Sequence, residues 1–136
     1  MSNHNVEVVR EVMALGDQAR ESGVLPETDL VAPDAEIDMS RRVFNPDIYR
    51  GMEGWLRLND ELREVWEEWR VIPERFIEAG DRVVVFATVH ARGRGSGVAV
   101  ELRESSAIWT LRNGQVTRVE IGVDPQEALK IVGLER

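Results

Sequence analysis

The central part of the chain alternates between valine-rich stretches and short turns, a pattern typical of antiparallel strands joined by hairpins. Residues 81–90 are nearly all strand-favouring and rich in β-branched side chains. A glycine-rich turn leads to a second predicted strand at 98–111. Asn113-Gly114, the strongest short hairpin signal, then leads to a third at 115–123. These three strands are the predicted centre of the fold.

Weaker patterns predict strands at the margins of this sheet. Residues 70–78 predict an edge strand, because Pro73 cannot donate a hydrogen bond to a ladder and is tolerated at an edge. A short strand is predicted at 36–39, and an irregular loop at 40–49 follows it. The sheet is therefore expected to contain about five strands.

Helical spacing of apolar residues appears outside the sheet. Residues 6–20 carry two adjacent apolar stripes, and 125–134 predict a short terminal helix. A short helix is predicted at 25–31, with proline in its first turn. The clearest helix begins after Gly51, and its apolar face is expected to carry Trp55, Leu58, Leu62, Val65, Trp66 and Trp69. Those tryptophans are interpreted equally well as plain core and as the wall of an apolar cavity.

The order of these elements predicts an α+β domain with its helices on one face of an antiparallel sheet. The 136 residues suffice for one domain spanning 1–136, and no linker or internal repeat divides them. The sequence has no cysteine, no apolar run long enough to span a bilayer and no signal-peptide pattern at its start, so a cytoplasmic location is expected.

Charge and composition exclude several classes of partner. The formal net charge of −8 repels phosphate backbones and anionic lipids, so neither nucleic-acid nor membrane binding is expected. Arg92 and Arg94, at a hairpin tip, are interpreted as part of a solvated turn. With only His4 and His90 as histidines, a metal site is not expected, and no glycine-rich nucleotide motif joins a strand to a helix. No cofactor is therefore predicted.

Several motifs together resemble one known family. They are Pro-Asp-Ala-Glu-Ile-Asp at 33–38, Tyr-Arg-Gly-Met-Glu-Gly at 49–54 with the tryptophan-rich helix behind it, the strand at 79–85, the turn at 93–97, and Trp-Thr-Leu-Arg-Asn-Gly at 109–114. The chain resembles the SnoaL-like branch of the ketosteroid-isomerase and nuclear-transport-factor-like superfamily. The resemblance covers nearly the whole chain and implies a cone-shaped α+β barrel of curved antiparallel sheet, closed by about three helices around a deep pocket.

The catalytic carboxylates of the family are not present at the matching positions of this chain. The general base of the isomerases aligns with Met39, their protonated aspartate aligns with Ala107, and the last-strand aspartate of epoxide-hydrolase-like members aligns with Ile121. None of these side chains can transfer a proton. Whether the protein is an enzyme is therefore left open.

His90 is the first candidate for an acid or base, because its unperturbed pKa lies near neutrality and it is expected on the inner face with Thr88. Asp38 is the carboxylate nearest to the family's base position, although strand alternation points it away from the pocket. The residues predicted to line a ligand site are Met39, Tyr49, Trp55, Trp66, Phe86, Thr88, Ala107, Trp109 and Ile121.

Two hypotheses follow for function. The first is a domain that binds a small hydrophobic molecule in an apolar pocket, or serves as a non-catalytic assembly domain. The second is a cofactor-independent isomerase, cyclase or dehydratase acting on a small carbonyl or polyketide-like substrate, with His90 as acid or base. Because both faces of the strand at 81–90 are apolar, a homodimer through the outer sheet face is also predicted.

Overall fold

The computed structural model describes residues 4–41, 46–131 and 133 of the chain. Within these residues it contains three helices and six strands. In chain order they are α1 (His4–Ser22), β1 (Val31–Asp38), β2 (Ile48–Arg50), α2 (Gly51–Val65), β3 (Trp66–Ala79), β4 (Arg82–Gly93), β5 (Ala99–Arg112), β6 (Gln115–Ile121) and α3 (Pro125–Ile131). Parts of the predicted loop at 40–49 and of the predicted terminal helix lie outside the described residues.

The six strands form one curved sheet in the order β2-β1-β6-β5-β4-β3. The predicted α+β class and the central three-strand meander are confirmed. The sheet is mixed rather than purely antiparallel, because β1 and β6 pair in parallel, with Ile37 opposite Val119. The long connection between them, which contains α2 and four strands, allows both to run in the same direction. Among the described strands, β2 and β3 form the two edges, so the sheet does not close into the predicted barrel.

The prediction of a short helix at 25–31 is wrong. No helix forms there, and β1 begins at Val31 and includes Pro33. A seven-residue helix is marginal on its own. Here the segment is held instead by β6, since the backbone N–H of Val116 donates to the Leu30 carbonyl at 2.8 Å.

Helix α2 ends at Val65, four residues before the predicted apolar face does. Trp66 and Trp69 therefore lie on β3 and not on the helix, which corrects their placement. The end of α2 is fixed by the β4–β5 turn: the backbone N–H of Arg94 donates to the Val65 carbonyl at 2.9 Å. Its guanidinium donates to the carbonyls of Arg63, at 2.8 Å, and Trp66, at 3.3 Å. Arg94 thus caps a helix C-terminus, where a cation is favoured, and is not merely part of a solvated turn.

Helices cover both faces of the sheet, contrary to the prediction that they lie on one. The face packed against α1 and α2, called the inner face, includes Val83 and Val85, which contact Val8, Val9 and Val12 of α1. On the opposite, outer face, α3 packs through Ala128 on a cluster formed by Val84, Ile108 and Val123. Both faces of β4 are therefore covered in part by helices of the same chain.

Candidate functional site

A groove of about 510 Å³ lies between β2, the C-terminal half of α2 and the start of β3. Its described lining residues are Pro46, Asp47, Tyr49, Glu61, Leu62, Glu64, Val65 and Trp66. Apolar and aromatic side chains therefore stand beside carboxylates in one concave surface. This mixture is typical of small-molecule sites, which combine apolar walls with a few polar groups.

The groove is positioned by the packing of α2 on the sheet. Leu58 and Leu62, one turn apart on α2, pack on Tyr49 and Met39 in a cluster that also contains Ile37 and Ile121. Tyr49 pairs with Ile37 across β2 and β1, so its ring is held on the inner face and is 1% exposed. The tyrosine consequently forms a rigid floor.

The polar part of the groove is a connected set of side chains. The Tyr49 hydroxyl donates to Glu61 Oε1 at 2.6 Å. The Arg57 guanidinium lies over the Tyr49 ring, 4.2 Å from its centroid, and donates to Asp47 Oδ2 at 3.0 Å and to Glu61 Oε2 at 3.4 Å. The hydrogen bond from Arg57 to Asp47 raises the pKa of Arg57 above its ordinary value. Glu61 is therefore fixed between a phenol and a cation, with each of its oxygens accepting one hydrogen bond.

Sequence reasoning missed the roles of Glu61, Arg57 and Asp47. Arg57 and Glu61 lie outside the predicted apolar face of the tryptophan-rich helix, and only their four-residue spacing signals that they can pair. The contact between Tyr49 and Glu61 joins a strand to a helix twelve positions away. No local pattern could reveal it.

Five of the nine predicted ligand-binding residues lie on the inner face: Met39, Tyr49, Ala107, Trp109 and Ile121. Of these, only Tyr49 also lines the groove. Trp66, from the start of β3, lines it too, whereas Trp55 lies half-buried near the start of α2 and does not. The structure therefore brings together Tyr49 and Trp66 from the predicted set.

Phe86, Thr88 and His90 lie on the outer face, which corrects the prediction that Thr88 and His90 face inward. Val83 and Val85 pack on α1, so the alternate residues of β4 point the other way. His90 is opposite Arg70 of β3 and Glu101 of β5, and its Nδ1 lies 3.5 Å from Glu101 Oε2. The histidine is thus in a half-exposed, charged strip away from the groove.

Asp38 is also on the outer face and is nearly buried. Arg118 Nη2 donates to its Oδ2 at 2.5 Å, and the backbone N–H of Ser40 donates to its Oδ1 at 2.9 Å. Burial raises the pKa of Asp38, but hydrogen bonds from Ser40 and the charges of Arg118 and Arg41 outweigh this, so the pKa lies below its usual value. A carboxylate stabilised in this way is a poor base. His90 and Asp38 do not form a common site.

The described residues offer few alternatives to this groove. Among them, no three His, Asp or Glu side chains are grouped so that they could hold a metal ion. No helix in the part of the chain that the structure describes is long and apolar enough to cross a membrane. A second depression, of about 610 Å³, lies near the start of α1. It is lined by Asn5 of α1, by Gly80 and Asp81 of the β3–β4 turn, and by residues of β5, β6 and the turn that joins them.

Solved structures with the same architecture cover almost the whole chain. An NTF2-like protein of unknown function from Burkholderia pseudomallei is 25% identical, with a TM-score of 0.72 over 98% of this chain and 99% of its own. TerC, crystallised with polyporic acid, is 26% identical, with a TM-score of 0.70 over 95% of this chain and 98% of its own. A proposed SnoaL-like polyketide cyclase from Jannaschia is 21% identical, with a TM-score of 0.68 over 98% and 94%.

Sequence comparison agrees with these structural matches. No curated protein sequence is significantly similar to the chain. The family model of the SnoaL-like domain matches residues 21–119, which extend from the end of α1 into β6 and include the whole groove. The chain therefore belongs to the SnoaL-like domain family.

Proposed function

We propose that this SnoaL-like protein binds a small molecule with an apolar body in the groove between β2 and α2. The observation that carries the proposal is the apolar wall formed by Leu62, Val65 and Trp66 above the buried ring of Tyr49. Val65 is 58% exposed although it is a large hydrophobic residue, so a ligand that covers it gains free energy from the area removed from water. The similarity to TerC, which was crystallised with polyporic acid, also supports a small-molecule site.

The enzymatic alternative has less support. Proton transfer by His90 requires the histidine to reach a bound substrate, and it lies on the face of the sheet opposite to α1, paired with Glu101. The proposed polyketide cyclases among the similar structures are 20% and 21% identical, which is informative about the fold alone. Binding without catalysis by His90 is accordingly the function that we propose.

Replacing Val65 by asparagine should weaken binding of the neutral fluorescent probe N-phenyl-1-naphthylamine by roughly fivefold, because the apolar contact of one valine is lost. The matched control is Val98→Asn, since Val98 is 60% exposed but lies in the β4–β5 connection and does not line the groove. Fluorescence titration measures both constants. Absence of saturable binding to the wild-type protein, or equal weakening in the two variants, would contradict the proposal.

We propose in addition that two chains associate through the part of the outer face that α3 leaves uncovered. This region exposes Ile72 beside Thr88 and places cations and anions, among them Arg70 and Glu101, in one strip that a second copy can complement. Light scattering at micromolar concentration should give about twice the mass of one chain. Ile72→Lys should lower that mass toward the monomer value, and a wild-type protein that is already monomeric would refute the association.

A further inference from the structure

We propose that the groove selects an organic cation, namely a small molecule that carries an ammonium group on an apolar body. The inference rests on the proposed binding function and adds the charge of the ligand. Three features of the groove support it: the sign of its lining charges, the carboxylate of Glu64, and the indole of Trp66.

The lining charges are all negative. Among the described residues that line the groove, Asp47, Glu61 and Glu64 are acidic, and none is lysine or arginine. Arg57 approaches from α2 and pairs with Asp47 and Glu61. The described lining itself thus offers three acidic side chains and no basic one, a composition that favours a cationic ligand.

Glu64 is the carboxylate that remains for a ligand. It forms no ion pair with any residue that the structure describes, and it lies on the last turn of α2, one residue before Val65. A carboxylate near a helix C-terminus adds to the negative end of the helix dipole, which favours a cation there. Arg94 occupies the carbonyls of Arg63 and Trp66 at this helix end, but it is not among the residues lining the groove.

The aromatic groups of the groove suit the same ligand. An ammonium group is attracted to the face of an aromatic ring, most strongly to that of tryptophan. One face of Tyr49 is already taken by Arg57, at 4.2 Å from the ring centroid. Trp66 is braced by Trp69, with ring centroids 5.5 Å apart, and lines the groove beside Val65. The indole of Trp66 and the carboxylate of Glu64 both line the groove, and both attract a cationic group.

The test compares ligands that differ only in charge. Benzyltrimethylammonium and its neutral isostere neopentylbenzene, in which carbon replaces nitrogen, would each displace N-phenyl-1-naphthylamine from the protein, with benzenesulfonate as the anionic reference. We expect the cation to bind about tenfold more tightly than the isostere at low salt and the anion most weakly. The preference should shrink toward unity at 0.5 M NaCl, where the Debye length falls to a few ångströms, about 4 Å.

Two variants show whether the preference belongs to the groove. Glu64→Gln should reduce the preference for the cation by roughly threefold while leaving neopentylbenzene binding unchanged. Glu67→Gln removes the same charge from an exposed position on β3 that does not line the groove, and it should have no effect. Equal affinities for the cation and the isostere, or equal effects of the two variants, would overturn the inference and leave the proposed function intact. Failure of the neutral compounds to bind would instead refute the proposed function.

Discussion

Replacing Arg118 by methionine is expected to lower the free energy of unfolding by about 3 kcal/mol at pH 7, because it leaves the buried carboxylate of Asp38 without its ion-pair partner. Arg118 of β6 contacts Glu36 and Asp38 of β1 and lies 3.8 Å from Glu120. It thereby joins the two parallel strands, and the side chain of Asp38 is only 8% exposed. Urea unfolding followed by tryptophan fluorescence measures the loss.

The matched control for this variant is Arg50→Met. Arg50 also pairs with Glu36, at 2.9 Å, but its side chain is 68% exposed. Exposed ion pairs contribute little, so the control should lose less than about 1 kcal/mol. Equal losses for the two variants would contradict a special role of the buried network.

The effect of Arg118→Met should also depend on pH. The pKa of Asp38 is lowered in the folded protein, so its contribution to stability is present above the unfolded value near 3.9 and is lost as the pH falls through the folded value. In the variant, burial raises the pKa of Asp38 and Arg118 no longer opposes it. The folded variant therefore takes up a proton at higher pH than the wild type does. The difference in stability between the two proteins should shrink between pH 7 and pH 4.

Replacing Gly54 by alanine should destabilise the protein by about 2–3 kcal/mol, because the site is overpacked. A Cβ at Gly54 would lie 2.6 Å from the backbone carbonyl carbon of Tyr49 and 3.1 Å from its Cα. Backbone atoms cannot rotate away as a side chain can, so α2 must shift from β2. The same shift moves Tyr49 relative to Glu61, and the variant should lose affinity for N-phenyl-1-naphthylamine as well as stability.

Gly16→Ala is the matched control, since Gly16 is also a buried glycine within a helix. Its added Cβ would meet only Arg20 Nη1, at 3.7 Å, which is an ordinary contact. Alanine is favoured over glycine in helix interiors, so this variant should gain about 0.5–1 kcal/mol. Thermal unfolding of the two proteins should move in opposite directions. A stable Gly54→Ala protein would show that α2 is packed less tightly on Tyr49 than the structure indicates.

The central sheet could be predicted from the sequence because its signals are local. Valine-rich runs and Asn113-Gly114 specify β4, β5 and β6 with their connecting hairpin, and Asn113 indeed adopts the positive φ that this turn requires. The end of α2 could not be predicted, because helical spacing continues past Val65 to Trp69. What ends the helix is pairing with β4, from Trp66 opposite Gly93 onward, together with carbonyl contacts from Arg94. Both are made by residues distant in the sequence.

The candidate site was less predictable than the fold. Strand alternation divides β4 correctly into two sets of residues, but it does not say which set faces α1, and His90 was consequently assigned to the wrong face. Tyr49 was recognised as a ligand-binding candidate. Its partner Glu61 was not, because their contact depends on how α2 lies against β2. Site chemistry in this fold thus arises from the packing of helix on sheet.

The contacts of the turn between β4 and β5 limit the insertions and deletions that this part of the chain can accept. Surface loops usually accept insertions and deletions. In this turn, Arg94 must reach the carbonyls of Arg63, Val65 and Trp66 with both its backbone and its side chain, so its position along the chain is fixed to within one residue. An added or deleted residue would detach it from the helix end that carries Glu64 and Val65. Relatives of this protein that keep such an arginine should therefore conserve the length of this hairpin, although it lies on the surface.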